Sequence, residues 1–302
     1  MLSRNPISAQ PSVRRPRELA WILRRLRKLA CVASTAALVV AGASAQAQDA
    51  SKYPDWSGQW KRPPYAGIQW DQTKRPGRAQ QPPLTPEYQA IFEASLADQA
   101  KGGQGENTRV TCVTNGMPRV MTVIRPIEFV IQPKLTYIIF ESYMPRRIYT
   151  DGRAFPTDEE PSYIGYSIGH WLDEDGDGRY DVLEVETRNF KGPRTLEATG
   201  LPLHRDNMTV VKERIRLDKT SKDTLLNEIT TIDNAFTHPW TVTKKYVREQ
   251  GKVIWNEDNC GENNNHVVIG KDNYFLSADG LLMPTRKNQP PPDLRYFGQA
   301  RK

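Results

Sequence analysis

Residues 163–190 read YIGYSIGHWLDEDGDGRYDVLEVETRNF, and this stretch decides the fold. Apolar residues recur at every second position on both sides of an acidic centre: Ile164, Tyr166, Ile168 and Leu172 before it, Leu183 and Val185 after it. A period of two is that of an extended strand with one covered face. The reading is therefore a hairpin, with arms Tyr163–Leu172 and Val182–Phe190 and Asp173–Asp181 at its tip.

The same signature recurs along the chain, at Ile127–Gln132, Leu135–Tyr143, Arg146–Thr150, Met208–Asp218, Thr224–Asp233, Trp240–Glu249 and His266–Gly270. Pro, Gly, Asp and Asn punctuate the joints. No helical pattern separates the strands, so consecutive strands should pair antiparallel and roll up, because closure removes exposed edges. The expected class is all-β: a single antiparallel meander barrel over residues 120–285. Residues 48–101 precede it and an extended tail, 286–302, follows, with Tyr296 and Phe297 after Gln289-Pro290-Pro291-Pro292.

One helix is expected, Thr85–Lys101. Thr85 suits the cap, Pro86 the first turn and Glu87 the positive helix start, and Gly102-Gly103 ends it. Tyr88, Ile91, Phe92 and Leu96 form its apolar stripe. Before the helix, PDWSGQW and GIQW read as an extended segment whose Trp56, Trp60 and Trp70 anchor it to the barrel.

The formal charge of +7 is misleading about partners. Of 42 Lys and Arg and 35 Asp and Glu, residues 1–47 hold eight and one, so residues 48–302 carry 34 of each. That balance argues against nucleic acid or an anionic membrane as partner. Residues 1–47 have the order of a secretory signal: a basic run to Lys28, the apolar Leu29–Gly42, then Ala45-Gln46-Ala47. The apolar run is short for a bilayer span. Cleavage would leave a periplasmic or secreted protein with no membrane span; an uncleaved anchor is the alternative. Cys112 and Cys260 would then sit in an oxidising compartment, which favours a disulfide over two buried thiols.

The hairpin tip carries the clearest chemistry. Asp173, Asp175, Asp177, Asp181 and Glu184 fall at positions 1, 3, 5, 9 and 12, with Gly178 at 6 and the Arg179 carbonyl at 7. That is the spacing of a calcium loop, because a hard cation gathers about six to eight oxygens. The flanks are strands, so a structural Ca²⁺ at a hairpin tip is expected instead of a helical sensor. Glu184 lies inside the second strand, where its side chain is free to turn away. A solvated Asp-Gly turn is the other reading.

Alternation also nominates a pocket. In Met208–Asp218, Glu213 shares a face with Val211, Ile215 and Leu217, while Lys212, Arg214 and Arg216 take the other. Glu141 should share a face with Leu135, Tyr137, Ile139 and Tyr143, and His170 with Tyr166 and Ile168. A carboxylate on an apolar face needs a partner or a role. The candidates are a hydrophobic lumen with Glu213, Glu141 and His170 as polar hooks, or, for each of them, a structural ion pair with an arginine such as Arg147 or Arg153. His204-Arg205-Asp206 places a histidine two residues from a carboxylate, as a proton relay or a turn cap. The four histidines lack zinc spacing, and neither GxSxG nor a phosphate loop is present.

RRIYTDGR (146–153), GYSIGHW (165–171), LEVETRNFKGPRT, HRDN, VKERIRL, TIDNAFTHPWTV and CGENN together resemble a widespread family of uncharacterised secreted bacterial proteins, over residues 54–282. The resemblance implies a lipocalin-like (calycin-like) barrel in the periplasm. It also implies that Lys commonly replaces His170, that Arg or Lys replaces His238, and that a short turn often replaces Asp173–Asp181.

Three functions follow. The first is a barrel that binds a hydrophobic or aromatic small molecule. The second is a cofactor-independent isomerase, hydratase or lyase using Glu213 with Tyr166, His170 or His204 and Asp206. The third is a solid structural barrel. A hollow around Glu213 excludes the third, and full pairing of Glu213 with an arginine favours binding over catalysis.

Overall fold

The computed structural model describes residues 51–63, 69–122, 124–252, 255–256, 265–269, 272–277 and 279–292. The leader, Cys260, Tyr296 and Phe297 lie outside them. Nine strands close into a barrel: β1 (Gln59–Lys61), β2 (Ile127–Gln132), β3 (Leu135–Phe140), β4 (Tyr143–Tyr149), β5 (Tyr166–Leu172), β6 (Val182–Arg188), β7 (Val210–Asp218), β8 (Ser221–Ile232) and β9 (Trp240–Arg248). The chain is mostly β, with one α-helix, α1 (Pro86–Ala100), among the described residues.

The barrel departs from an antiparallel meander in two places. First, β4 and β5 run parallel, joined only through Ile148↔Ser167 and Tyr149↔Ile168. The connection from Thr150 to Gly165 is long enough to carry the chain back to the end where β4 began. Second, the ninth strand comes from the tryptophan-rich segment. Trp60 sits opposite Ile127 of β2 and Arg248 of β9, so β1 closes the ring. His266–Ile269, expected in the barrel, is instead β10 of a separate sheet with β11 (Asp272–Leu276) and β12 (Leu282–Pro284).

The core lies inside the ring. Ile127 and Phe129, Ile138 and Phe140, Ile148, Leu183 and Val185, Val211 and Ile215, Leu225 and Ile229, Val242 and Tyr246 are all buried there. Trp56, Trp60 and Trp70 join them, as packing anchors should. On α1, Thr85 accepts the Tyr88 N–H as a cap. Tyr88 and Phe92 are buried, but Ile91 is exposed. Its expected place goes to Ser95, whose hydroxyl donates to Thr199 O (2.8 Å) and accepts from Glu106 N (2.9 Å). No helix among the described residues is long and apolar enough to cross a membrane.

The turn into β5 requires Gly165. Its φ is +71°, and a Cβ there would lie 2.5 Å from the Phe190 ring and 2.7 Å from Arg188 O. Gly165→Ala should therefore lower stability by about 2–4 kcal/mol, because backbone strain and overpacking add. Urea unfolding checks this, and an unchanged midpoint contradicts it.

Candidate functional site

The β7 reading holds: Val211, Glu213 and Ile215 are buried on one face. Glu213 is bound by Arg146, a residue of β4, three strands away around the wall. A contact between those strands passes through the interior. Arg146 is 1% and Glu213 4% exposed, so both charges are out of water. Arg146 Nη2 also donates to Thr187 Oγ1 (2.7 Å), and its Nε donates to Ser167 Oγ (3.1 Å). Asn227 Nδ2 donates to the second carboxylate oxygen of Glu213 (2.8 Å). The two arginines named from sequence, Arg147 and Arg153, are not the partner. The signal was available: Arg146 is two residues from Ile148, hence on the same face of β4.

With both oxygens of Glu213 engaged and apolar side chains packed around it, the expected lumen at this point is filled. Its other proposed lining residues lie elsewhere. On β3 the inward face is Thr136, Ile138 and Phe140, so Tyr137 and Ile139 face outward. Both faces of LTYIIF are apolar, and alternation could not choose between them. Glu141 follows β3 and is held by Asn256, through N–H (2.8 Å) and side-chain amide (2.6 Å), and by Arg125 (3.5 Å).

On β5, Ser167, Gly169 and Trp171 pair in register with Thr187, Val185 and Leu183 of β6, and this is the inward face. Tyr166, Ile168 and His170 are therefore on the outer face. His170 is exposed beside Glu184, its cross-strand neighbour. Tyr166 stacks on Tyr149 at 5.0 Å. Ile168 is 6% exposed and lines an outer depression of about 410 Å³ with Phe155, His170, Glu186 and Lys212.

His204 and Asp206 meet at 2.9 Å in a turn after Leu203. Burial pushes the Asp206 carboxyl up, but hydrogen bonds from the Met208 N–H, Asn234 and His204 outweigh it and hold the group below the usual range. The pair packs against Tyr88, whose ring lies 5.1 Å from that of His204. The structure does not bring it together with Glu213, His170 and Tyr166. These residues belong to three places, the turn, the interior and the outer wall.

A larger groove opens on the outer wall at the parallel junction. Beyond Ile148 and Tyr149, β4 has no paired neighbour in β5. The groove there measures about 760 Å³ and is lined mainly by Tyr137, Ile139, Met144, Tyr149, Ile164 and Tyr166, with Arg147 and Glu159. Val130 (40%) and Met144 (69%) are exposed beside these rings. Nearby, Arg153 lies 4.0 Å over the Tyr149 ring and is bound to Asp151. That hydrogen bond holds the Asp151 carboxyl down at about 2.

At the hairpin tip, carboxylate oxygens of Asp173, Asp175 and Asp177 lie within 4.8 Å of one another. An ion about 2.4 Å from each donor fits that span. The backbone turns inward to allow it: Gly176 N and Gly178 N donate to the two oxygens of Asp173 (2.8 and 2.9 Å), and Arg179 N donates to Asp177 (2.8 Å). Asp181 accepts from Glu174 N (2.6 Å). Glu184 is engaged by Arg214 (2.6 Å) and lies outside the cluster, so it does not supply the twelfth position. Cys112 ends a short 3-10 turn (Thr108–Thr111) with φ 57°. Its expected partner Cys260 lies outside the described residues.

Sequence reasoning missed Lys244. It is an inward residue of β9, 2% exposed, opposite Asn227, and its amine donates to Trp70 O. Burial, then the nearby Arg62 charge, lower its pKa to about 7, against the opposing pull of Asp71 and Glu197. The available signal was alternation, which puts Val242, Lys244 and Tyr246 on one face of the strand.

Comparison of the chain with protein-family models, with curated proteins and with solved structures returns no match.

Two predictions follow from the interior charges. Glu213→Gln leaves Arg146 without a counter-charge and should cost about 3–5 kcal/mol in chemical unfolding. A loss below about 1 kcal/mol would show the pair to be unimportant. Lys244 acts in the opposite sense. The unfolded chain keeps its proton up to the ordinary pKa of 10.5, and the folded chain releases it near 7. Its penalty is therefore full below about pH 7 and falls as pH rises toward 10.5. Lys244→Met should be more stable than the parent by about 1–4 kcal/mol at pH 6. That gain should shrink through pH 7–10.5; a gain independent of pH would mean that the amine is not desolvated.

Proposed function

We propose that this protein binds a hydrophobic or aromatic small molecule, as a secreted or periplasmic barrel of the lipocalin-like kind that the sequence resembles. The binding place is the outer groove at the β4–β5 junction. The observation that carries this reading is the convergence of Tyr137, Tyr149 and Tyr166 with Ile139, Ile164 and Met144 around about 760 Å³. That volume is in the range of small-molecule sites. Aromatic rings supply large contact area at low entropic cost. The saturated carboxylate of Glu213 gives proton transfer no comparable support.

Pro145 favours a small molecule over an added strand. It lies on the open part of β4 and has no N–H to offer a ladder.

In this reading the hairpin tip takes a structural Ca²⁺ through Asp173, Asp175, Asp177 and the Arg179 carbonyl, and Asp181, outside the three-carboxylate cluster, acts through a bridging water. A Cys112–Cys260 disulfide ties the loop before the barrel to the segment after β9.

Native mass spectrometry of protein purified from its host should show a retained small molecule and a calcium ion together. In solution, neutral naphthylmethanol should bind, and Tyr137→Ala and Tyr166→Ala should each weaken it by about tenfold. Full binding by both variants would place the site elsewhere. For the ion, calcium at a hundred times its Kd should add about 2.7 kcal/mol of stability. Chelator should remove that gain, and Asp173→Asn should abolish the response; a melting temperature blind to calcium and chelator would end the proposal.

A further inference from the structure

The groove is not uniformly apolar, and its one arginine differs from its neighbours. Arg146 is committed to Glu213 inside the barrel. Arg153 is bound to Asp151 through Nε (2.9 Å) and Nη2 (2.6 Å). Arg125 faces Glu141 at 3.5 Å, and Arg188 faces Glu186 at 2.5 Å. Arg147 lines the groove from β4 and is exposed. Among the described residues its guanidinium has one partner, the face of Tyr137, 5.8 Å from the ring centroid. That contact leaves the in-plane N–H groups of the guanidinium uncommitted.

A guanidinium lying on a ring, at the border of an apolar groove, has a specific complement. Its planar fork matches a carboxylate with two parallel hydrogen bonds. Arg153 covers one face of Tyr149 and Tyr166 the other, so the stacked pair offers its Tyr166 side to a second ring. The groove also holds one carboxylate, Glu159, whose backbone carbonyl accepts from Asn189 (2.8 Å). Glu159 opposes an anion wherever it lies, so the fit depends on Arg147 dominating.

We propose that the groove selects an aromatic carboxylic acid, its ring against the tyrosines and its carboxylate on the Arg147 fork. This rests on the groove reading above and gives it a ligand class. The binding is a reversible association and no bond is made or broken.

Three probes of one shape test it: naphthoate, naphthylmethanol and naphthylmethylamine, titrated calorimetrically against the full mature chain at neutral pH. Naphthoate should bind about tenfold tighter than the alcohol, as a charge-assisted fork does over a neutral contact. Arg147→Met should erase that preference, bringing the affinities for naphthoate and the alcohol to within about twofold of each other. Glu159→Gln should tighten naphthoate alone. Raised salt should weaken naphthoate and not the alcohol.

If the alcohol binds and naphthoate has no advantage, the carboxylate inference is overturned while the groove reading survives. A preference for the amine overturns it too and assigns the polar role to Glu159. If none of the three binds, the groove itself is not a site. Arg147 lies on the outer face, so circular dichroism should show Arg147→Met folded, which keeps each outcome readable.

Discussion

A guanidinium and a carboxylate buried in the middle of a barrel set the terms for everything around them. Neither ion tolerates loss of water without the other, so Arg146 and Glu213 must face inward at the same depth. That condition fixes which face of β4 and of β7 is internal. Ser167 on β5, Thr187 on β6 and Asn227 on β8 extend the hydrogen bonding, and so the register of five successive strands is tied to one pair. A slip of one residue in any of them would swing a polar group out of reach and an apolar set into water. The pair is weak as a source of stability and strong as a specification of pairing.

How much of this was legible depended on contrast between the two faces of each strand. VVKERIRL announces itself, because Val211, Ile215 and Leu217 oppose Lys212, Arg214 and Arg216. The inward Glu213 followed from it directly. LTYIIF carries no such contrast, and the inward assignment of Tyr137 and Glu141 was lost there. On β5, Tyr166 and Ile168 looked like core because they are apolar. They cover the outer wall, while small and polar Ser167 and Gly169 fit beside Arg146 and Ile148. Strand β1 is three residues long, too short to show a period, and its recruitment from the tryptophan-rich segment is a tertiary event.

The candidate site was read unevenly for the same reasons. The acidic loop is local, so its spacing can be counted, and even the divergence of Glu184 follows from its place in a strand. The groove is not local. Its walls come from β2, β3, β4, β5 and the connection 150–165, and it exists because β5 arrives parallel to β4 after that connection. No window of sequence contains that return. Tyr137 and Tyr166 were placed in the lumen and lie on the outer wall instead.

The thin junction between β4 and β5 has a mechanical meaning. Six of the other junctions around the ring are antiparallel ladders between strands consecutive in sequence, and the short β1 bridges the remaining gap on both its edges. Topologically the wall is a ribbon wound from β5 through β9 and β1 back to β4, with its two ends held by a clasp of two residue pairs. Thermal breathing that leaves the internal salt bridge intact has a route there, as it has at the two edges of β1, each also held by two residue pairs. A molecule lying across Tyr149 and Tyr166 would span the clasp, so occupancy of the groove and closure of the ring become a single equilibrium.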